Sequence, residues 1–280
     1  YDSERVAISS TDSFSGVTAR TLPQAALEWR YPLLRPGETG SWMLEPIALA
    51  VAQPEDGNRG KISNEDSKLL ELSDTNIFSL DRMPGLDLVD AGSRLAYGFR
   101  SHYYARGGVA FDTMLGQSYS FSSDTPFPNS NHAGERFSDY IGRIGAQVAP
   151  FSFNFRYALD NQSAVLNRDE FEIGFTKPWL SVFTSFREIR NNRYLDDSRE
   201  GAINGTLPLT ESWSLFGNAT RNLRLDEMVS DGAGLIYKNE CFTMMLDSSR
   251  NYARDRDIAP TTAFTFRVGF KNLGEFGGVP

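Results

Sequence analysis

The chain has 280 residues, enough for one large domain or two small ones. Its formal net charge is −8, from 36 acidic against 28 basic residues, and no Lys/Arg run offers the basic stripe that a nucleic-acid partner requires. No stretch approaches 18 consecutive apolar residues, so a transmembrane helix is excluded, and the single cysteine, Cys241, cannot close a disulfide within the chain.

Aromatics make up 12% of residues, with 20 Phe and 11 Tyr, in a background whose mean hydropathy is −0.38. Such a composition suits strands with one greasy and one wet face, and it suits an aromatic-rich soluble sandwich as well. The sequence opens on Tyr1 in mid-polar sequence, so the expectation is a segment of a longer chain whose export signal lies upstream.

Taken in chain order, alternating segments predict roughly thirteen strands, over 22–34, 41–53, 93–104, 109–121, 137–149, 152–161, 168–176, 180–189, 200–209, 213–224, 229–239, 241–250 and 262–272. Each is near the ~9–11 residues that cross a bilayer. The pattern is clearest in 151–159, where Phe151, Phe153, Phe155, Tyr157 and Leu159 alternate with Ser152, Asn154, Arg156 and Ala158. Successive strand side chains point to opposite faces, so this segment has an apolar and a polar wall. Phe171, Ile173 and Phe175 repeat it around Glu172, and Phe264, Phe266, Val268 and Phe270 repeat it around Arg267.

The connections sort by parity. Short Gly- or Pro-rich turns at 35–40, 105–108, 150, 177–179 and 210–212 alternate with longer polar connections at 54–92, 122–136, 190–199 and 251–261; 162–167 and 225–228 fall on the long side but are short. A membrane barrel places short turns in the periplasm and long loops outside, whereas a soluble meander has no reason to do so. The fold expected is therefore all-β, an antiparallel transmembrane β-barrel. The connection 54–92 is the long extracellular loop, with a short helical turn or a cap on the barrel mouth as one reading and a solvated loop as the other.

Enzyme chemistry is poorly represented. His102 and His132 are too far apart for a local zinc pair, and Gly116-Gln-Ser118 begins like a nucleophile elbow without its closing glycine. His102 and Ser118 fall on successive predicted strands, which leaves a barrel-wall hydrolase as a remote reading. Glu170 and Glu172 share a strand face about 7 Å apart and suit a polar lumen better than an acid/base couple. No cofactor fingerprint is present, and no metal site is expected.

Three stretches in this order resemble the LptD family of lipopolysaccharide-assembly proteins. Trp42-Met-Leu44-Glu45-Pro46 resembles the family's Leu-Glu-Pro strand. The stretch from Asn64-Glu-Asp-Ser67 through Leu80-Asp-Arg-Met83 to Gly98-Phe-Arg100 resembles its acidic, Asp-Arg-containing long loop. Tyr237-Lys-Asn-Glu-Cys241, followed by the closing strand and Gly269-Phe-Lys-Asn-Leu-Gly274, resembles the segment where many members carry adjacent cysteines. The resemblance implies the C-terminal part, residues 1–280, of a barrel of about 26 strands, in the outer membrane of a Gram-negative bacterium. It implies a non-enzymatic conduit that inserts lipopolysaccharide into the outer leaflet, with outer-membrane lipid as surroundings. The partners it implies are an LptE-type lipoprotein plug and an LptA-type periplasmic bridge reached through an N-terminal domain.

Cys241 matches the second cysteine of the family pair and Glu240 stands where the first would be, so at most one interdomain disulfide is implied. The last strand, with Phe264, Phe266, Val268 and Phe270, is implied as one side of a lateral gate. Asn154, Arg156, Glu172 and Arg267 are expected to line the lumen. An isolated half barrel would keep two unpaired edges, which lipid does not tolerate, so the segment is not expected to be stable alone. The alternative is a general or substrate-specific porin, which predicts a self-closing barrel with an inward-folded constriction loop.

Overall fold

A computed structural model describes residues 2–5, 14–57, 61–62, 66, 71–83, 85–122, 136–190, 197–252, 259–271 and 274–276. Seventeen strands run in chain order: β1 Asp2–Arg5, β2 Phe14–Val17, β3 Ala25–Arg30, β4 Leu33–Pro36, β5 Gly40–Ala52, β6 Arg94–Ala105, β7 Ala110–Ser120, β8 Tyr140–Val148 and β9 Phe151–Leu159, then β10 Leu166–Lys177, β11 Leu180–Ile189, β12 Ser198–Pro208, β13 Trp213–Asn222, β14 Glu227–Lys238, β15 Phe242–Asn251, β16 Thr261–Phe270 and β17 Gly274–Phe276. β1 and β2 form their own two-stranded sheet. The others make one antiparallel sheet in which each strand from β5 to β17 pairs with its sequence neighbours, while β3 and β4 both pair with β5.

The predicted strand over 22–34 is broken into β3 and β4, which pair with the two halves of β5. Pro32 lies in the gap, where it has no N–H to give a ladder. Tyr31 N donates to Pro46 O at 3.3 Å and holds the break against β5. At the opposite edge a feature the alternation did not signal, β17, folds back onto β16, pairing Phe276 with Val268 and Gly274 with Phe270. Among the described residues the sheet does not close on itself, and its free edges are β3–β4 and β16–β17.

The loops sort as expected. One end carries the turns 106–109, 149–150, 178–179, 209–212 and 239–241, and the other carries 53–93, 121–139, 160–165, 190–197, 223–226 and 252–260. Gly107 and Gly108, both at positive φ, form the turn between β6 and β7.

Register fixes two faces. One cross-strand row joins Glu45, Arg100, Met114, Arg143, Arg156, Glu170, Arg187, Glu200 and Asn222. The reverse face presents large apolar side chains to the surroundings, among them Leu44, Phe153, Ile173, Ile203, Leu215 and Phe266, each 36–56% exposed. Aromatic rings gather on it at the short-turn end: Trp42 and Tyr103 at 4.9 Å, Trp213 and Tyr237 at 4.9 Å, and Phe242 and Phe270 at 6.3 Å between centroids. An apolar band bordered by aromatic rings, backed by a charged interior, is the build of a membrane-spanning barrel wall. This is an antiparallel transmembrane β-barrel wall.

Candidate functional site: the inner wall and its strap

The inner face of β5 to β9 is not polar throughout. Ile47, Gly98, Gly116, Ile141 and Ala158 form one row across five strands, and Leu49 and Val51 continue it along β5 toward the long-connection end. Onto this patch folds the described part of the connection 54–92, as a strap lying inside the wall. Leu72, Ile77, Phe78 and Met83 of the strap and Ile47, Leu49, Val51, Ala96, Met114, Ile141 and Ala158 of the wall make one buried cluster. Burying each large strap side chain is worth about 1.5–3 kcal/mol. The chain at 74–78 makes turns rather than a helix.

Charge fixes the strap's position. Asp90 accepts from Arg82 Nε at 2.6 Å and lies 3.1 Å from Arg94 NH1 on β6. Arg94 also donates to the carbonyls of Leu80 and Ser79, at 2.6 and 3.2 Å, and Arg82 NH1 to Ser118 Oγ at 3.3 Å. All three ionic side chains are at most 6% exposed. The Leu80 and Ser79 carbonyls take up Arg94 NH2, whereas among the described residues its buried Nε and NH1 have no hydrogen-bond acceptor, so the charge of Asp90 is what offsets the burial of the two guanidiniums. Further along, Asp74 lies 3.6 Å from Arg143 and 3.5 Å from Arg156, and Glu71 lies 3.3 Å from Arg168. Arg100 stands over the Phe78 ring at 6.0 Å. The run Asn64-Glu-Asp-Ser67 lies outside the described residues apart from Asp66, whose carboxylate accepts from Leu86 N and Asp87 N at 2.9 and 3.0 Å.

Asn154, Arg156 and Glu172 come together on the inner face: Asn154 Nδ2 donates to Glu172 Oε2 at 2.8 Å, and Arg156 NH1 is 3.3 Å from the same oxygen. Asn154 and Glu172 border an inner-wall pocket of about 580 Å³ that also takes in Asp112, Arg143 and Asn204. Arg267 shares the inner face but lies several strands away, opposite Met245. Phe264, Phe266, Val268 and Phe270 point outward from β16, and Phe264 is 79% exposed. Leu44 points outward, and Glu45 points inward, 3.9 Å from Arg30.

Cys241 is an exposed free thiol in the tight turn before β15, where Asn239 Oδ1 accepts from the backbone N–H groups of Cys241 and Phe242 at 2.9 and 2.8 Å. His102 and Ser118 do not meet. Their register partners, Asp112 and Ala96, place them six residues apart along the wall, about 20 Å, and Ser118 is engaged by Arg82. His132 lies outside the described residues.

A family model described as LptD, LPS transport system D, matches residues 1–213 of this chain. The chain belongs to the LptD family. It is 22% identical over 262 residues to the LPS-assembly protein LptD of Vibrio cholerae serotype O1, covering 82% of this chain and 33% of that one. It is 23% identical over 252 residues to the LPS-assembly protein LptD of Alcanivorax borkumensis, covering 86% and 32%. The chain thus spans about a third of the length of these curated relatives. Among solved structures it is similar to a mutant of the Rh. blastica porin, with TM-score 0.40, 7% identity and 90% and 91% of the two chains covered. A triple mutant of the Rhodopseudomonas blastica porin gives TM-score 0.39 at 8% identity, covering 92% and 93%. LptD is a family of transport and assembly proteins, and this wall is an outer-membrane one, of a Gram-negative bacterium.

Reading alternation alone misses the strap's ion network. Its signal is an Arg–Asp–Arg set, Arg82, Asp90 and Arg94, spaced around an apolar loop stretch and next to a strand start. Gly116 is a second missed signal, a glycine inside a strand where a neighbour approaches.

Proposed function

We propose that this chain is the C-terminal part of an LptD barrel that inserts lipopolysaccharide into the outer leaflet, with 54–92 as an extracellular loop turned into the lumen. The observation that carries the reading is the family match over 1–213. The two-faced wall supports it, because an amphipathic glycolipid needs a polar path for saccharide beside an apolar exit for acyl chains. The conduit works without covalent chemistry: inner-face groups such as Asn154, Arg156, Glu172 and Arg267 exchange hydrogen bonds with sugar or with an LptE-type plug. An LptA-type bridge delivers the lipid to the short-turn side. Cys241, on that side, pairs with a cysteine of the periplasmic domain, in an oxidising compartment. The free edge at β16, short of ladder partners and flanked by Phe264 and Phe266, is one side of a lateral exit.

The test is depletion of the full-length protein in cells, following newly made lipopolysaccharide at the surface. Surface arrival is expected to fall as the protein is lost, with glycolipid accumulating inside. Undiminished arrival would refute the reading. A porin reading accounts for an inward loop, but a porin's loop lines a watery constriction, whereas this strap is seated on a dry cluster of Leu72, Ile77 and Phe78.

A further inference from the structure

The outward face is apolar over most of its height, yet near the long-connection end it carries charge. Asp169 on β10, Glu188 on β11 and Arg199 on β12 stand in one cross-strand row, on the face that carries Phe171 and Phe186. Arg190 follows at the top of β11. Its NH1 donates to Asp169 Oδ1 at 2.9 Å and its NH2 to Glu188 Oε2 at 2.5 Å, while Arg199 NH2 donates to Glu188 Oε1 at 2.7 Å. The acids are the buried partners, with side chains 6% and 11% exposed, and the arginine side chains are 36% and 49% exposed. Arg190 NH1 also donates to Leu166 O at 3.0 Å, so Arg190 keeps only its Nε–H and one N–H of NH2 uncommitted, while Glu188 takes one N–H of Arg199 and leaves that arginine's other donors uncommitted. Among the described residues Arg199 has no other hydrogen-bond acceptor than Glu188.

A guanidinium whose plane is fixed from behind has lost little freedom left to lose, and its free edge matches two oxygens of a phosphate. Charge on the lipid side of a barrel is tolerated near the interface and costly at the midplane, so this row belongs at headgroup level. Beneath it the same face sinks. Ile203, four residues below Arg199 and so about 13 Å along β12, borders an apolar depression of about 480 Å³ with Val182, Leu207, Leu215, Gly205 and Gly217. The small residues leave room there that the flanking aliphatic side chains do not fill.

We propose that Arg190 and Arg199 are a docking site on the outer wall for the phosphate of an outer-leaflet acyl glycolipid of the lipid A type, whose chains run down toward the Ile203–Leu207 depression. The site rests on the orientation proposed above, with long connections outside, and not on export itself. It holds an outer-leaflet lipid against the wall, on the face turned away from the lumen.

The experiment uses the full-length protein in nanodiscs of phosphatidylcholine carrying a minor fraction of bisphosphorylated lipid A, with phosphatidylglycerol in its place as the second arm. Lipid retained through exchange into a zwitterionic detergent is measured by mass spectrometry. Neutralising the whole row together (Asp169→Asn, Glu188→Gln, Arg190→Gln, Arg199→Gln) leaves no buried charge unpaired, and is expected to lower lipid A retention at least fivefold. Glu188→Gln alone makes the row net positive and is expected to raise it about twofold; a merely structural role for the row would lower it. Phosphatidylglycerol retention is expected to change less than lipid A retention in every variant. The proposal is overturned if the fully neutral variant retains lipid A like the parent, if Glu188→Gln lowers retention, or if the two lipids respond alike. Surface arrival of lipopolysaccharide, measured in the same strains, scores the export reading separately.

Discussion

The Phe78 ring sits where a side chain at position 116 would be: a Cβ built on Gly116 meets Phe78 Cζ at 3.0 Å and Ile77 Cδ1 at 3.3 Å. The wall has given up a side chain at one point so that the strap can lie against it. The glycine thus reports the strap's docked position.

Adding bulk there is expected to push the strap away in graded fashion. Gly116→Ala asks the ring tip to yield by a few tenths of an ångström. Gly116→Ile overpacks the contact and costs about 1–3 kcal/mol. Limited proteolysis of the folded protein is the check: cleavage within 71–91 is expected to rise slightly for Ala and strongly for Ile. Equal resistance in all three proteins would mean that the strap does not rest on Gly116.

Asp90→Asn removes the carboxylate that Arg82 and Arg94 share. Breaking a buried pair in this way costs about 3–5 kcal/mol because the cations stay behind. Hydrogen exchange is expected to accelerate across 79–92 while the ladder between β10 and β13 keeps its protection. Uniform acceleration would instead mean that the strap and the wall are one cooperative unit.

Thr184 and Ser185 are neighbours in β11 on opposite faces. Thr184 lies between Ile173 and Ile203 and donates to Ala202 O at 3.2 Å, and Ser185 lies between Glu172 and Ala202. Thr184→Arg is expected to destabilise the folded protein in lipid by about 2–4 kcal/mol, the cost of an arginine on a barrel's lipid face near the midplane. Ser185→Arg, facing Glu172 across a wet lumen, is expected to cost much less. Urea titration into vesicles measures both, and the opposite ranking would reverse the faces.

Cys241 is expected to form a disulfide with a cysteine of the periplasmic domain in the full-length protein. Non-reducing electrophoresis should show a mobility shift that dithiothreitol abolishes and Cys241→Ser lacks. A thiol that alkylates fully in unreduced cells would remove the proposed link.

Much of this wall was legible because its alternation is physical: Phe153 and Phe155 cannot share a face with Asn154 and Arg156. The loop parity was legible for the same reason, since turn chemistry at Gly107 and Gly108 is local. Where the reading ran out, a second layer intervenes. On β5 the inner residues Ile47, Leu49 and Val51 are as apolar as a lipid face, and their outer neighbours Ala48 and Ala50 are small, so alternation carries no polarity there. What makes them inner is the strap, a contact from residues tens of positions away. Asp169 and Glu188 likewise share a face with Phe171 and Phe186, and only the arginines across the strands explain them. The β1–β2 hairpin and β17 are too short for a period of two to emerge.

The most direct test of the wall's two faces is a nitroxide scan of β9 in the reconstituted full-length protein, one label at a time at Ser152, Phe153, Asn154 and Phe155. Oxygen, which concentrates in hydrocarbon, is expected to relax labels at 153 and 155, and a water-soluble nickel chelate those at 152 and 154. A scan with no alternation, or with the 153 and 155 labels shielded from both agents, would contradict it.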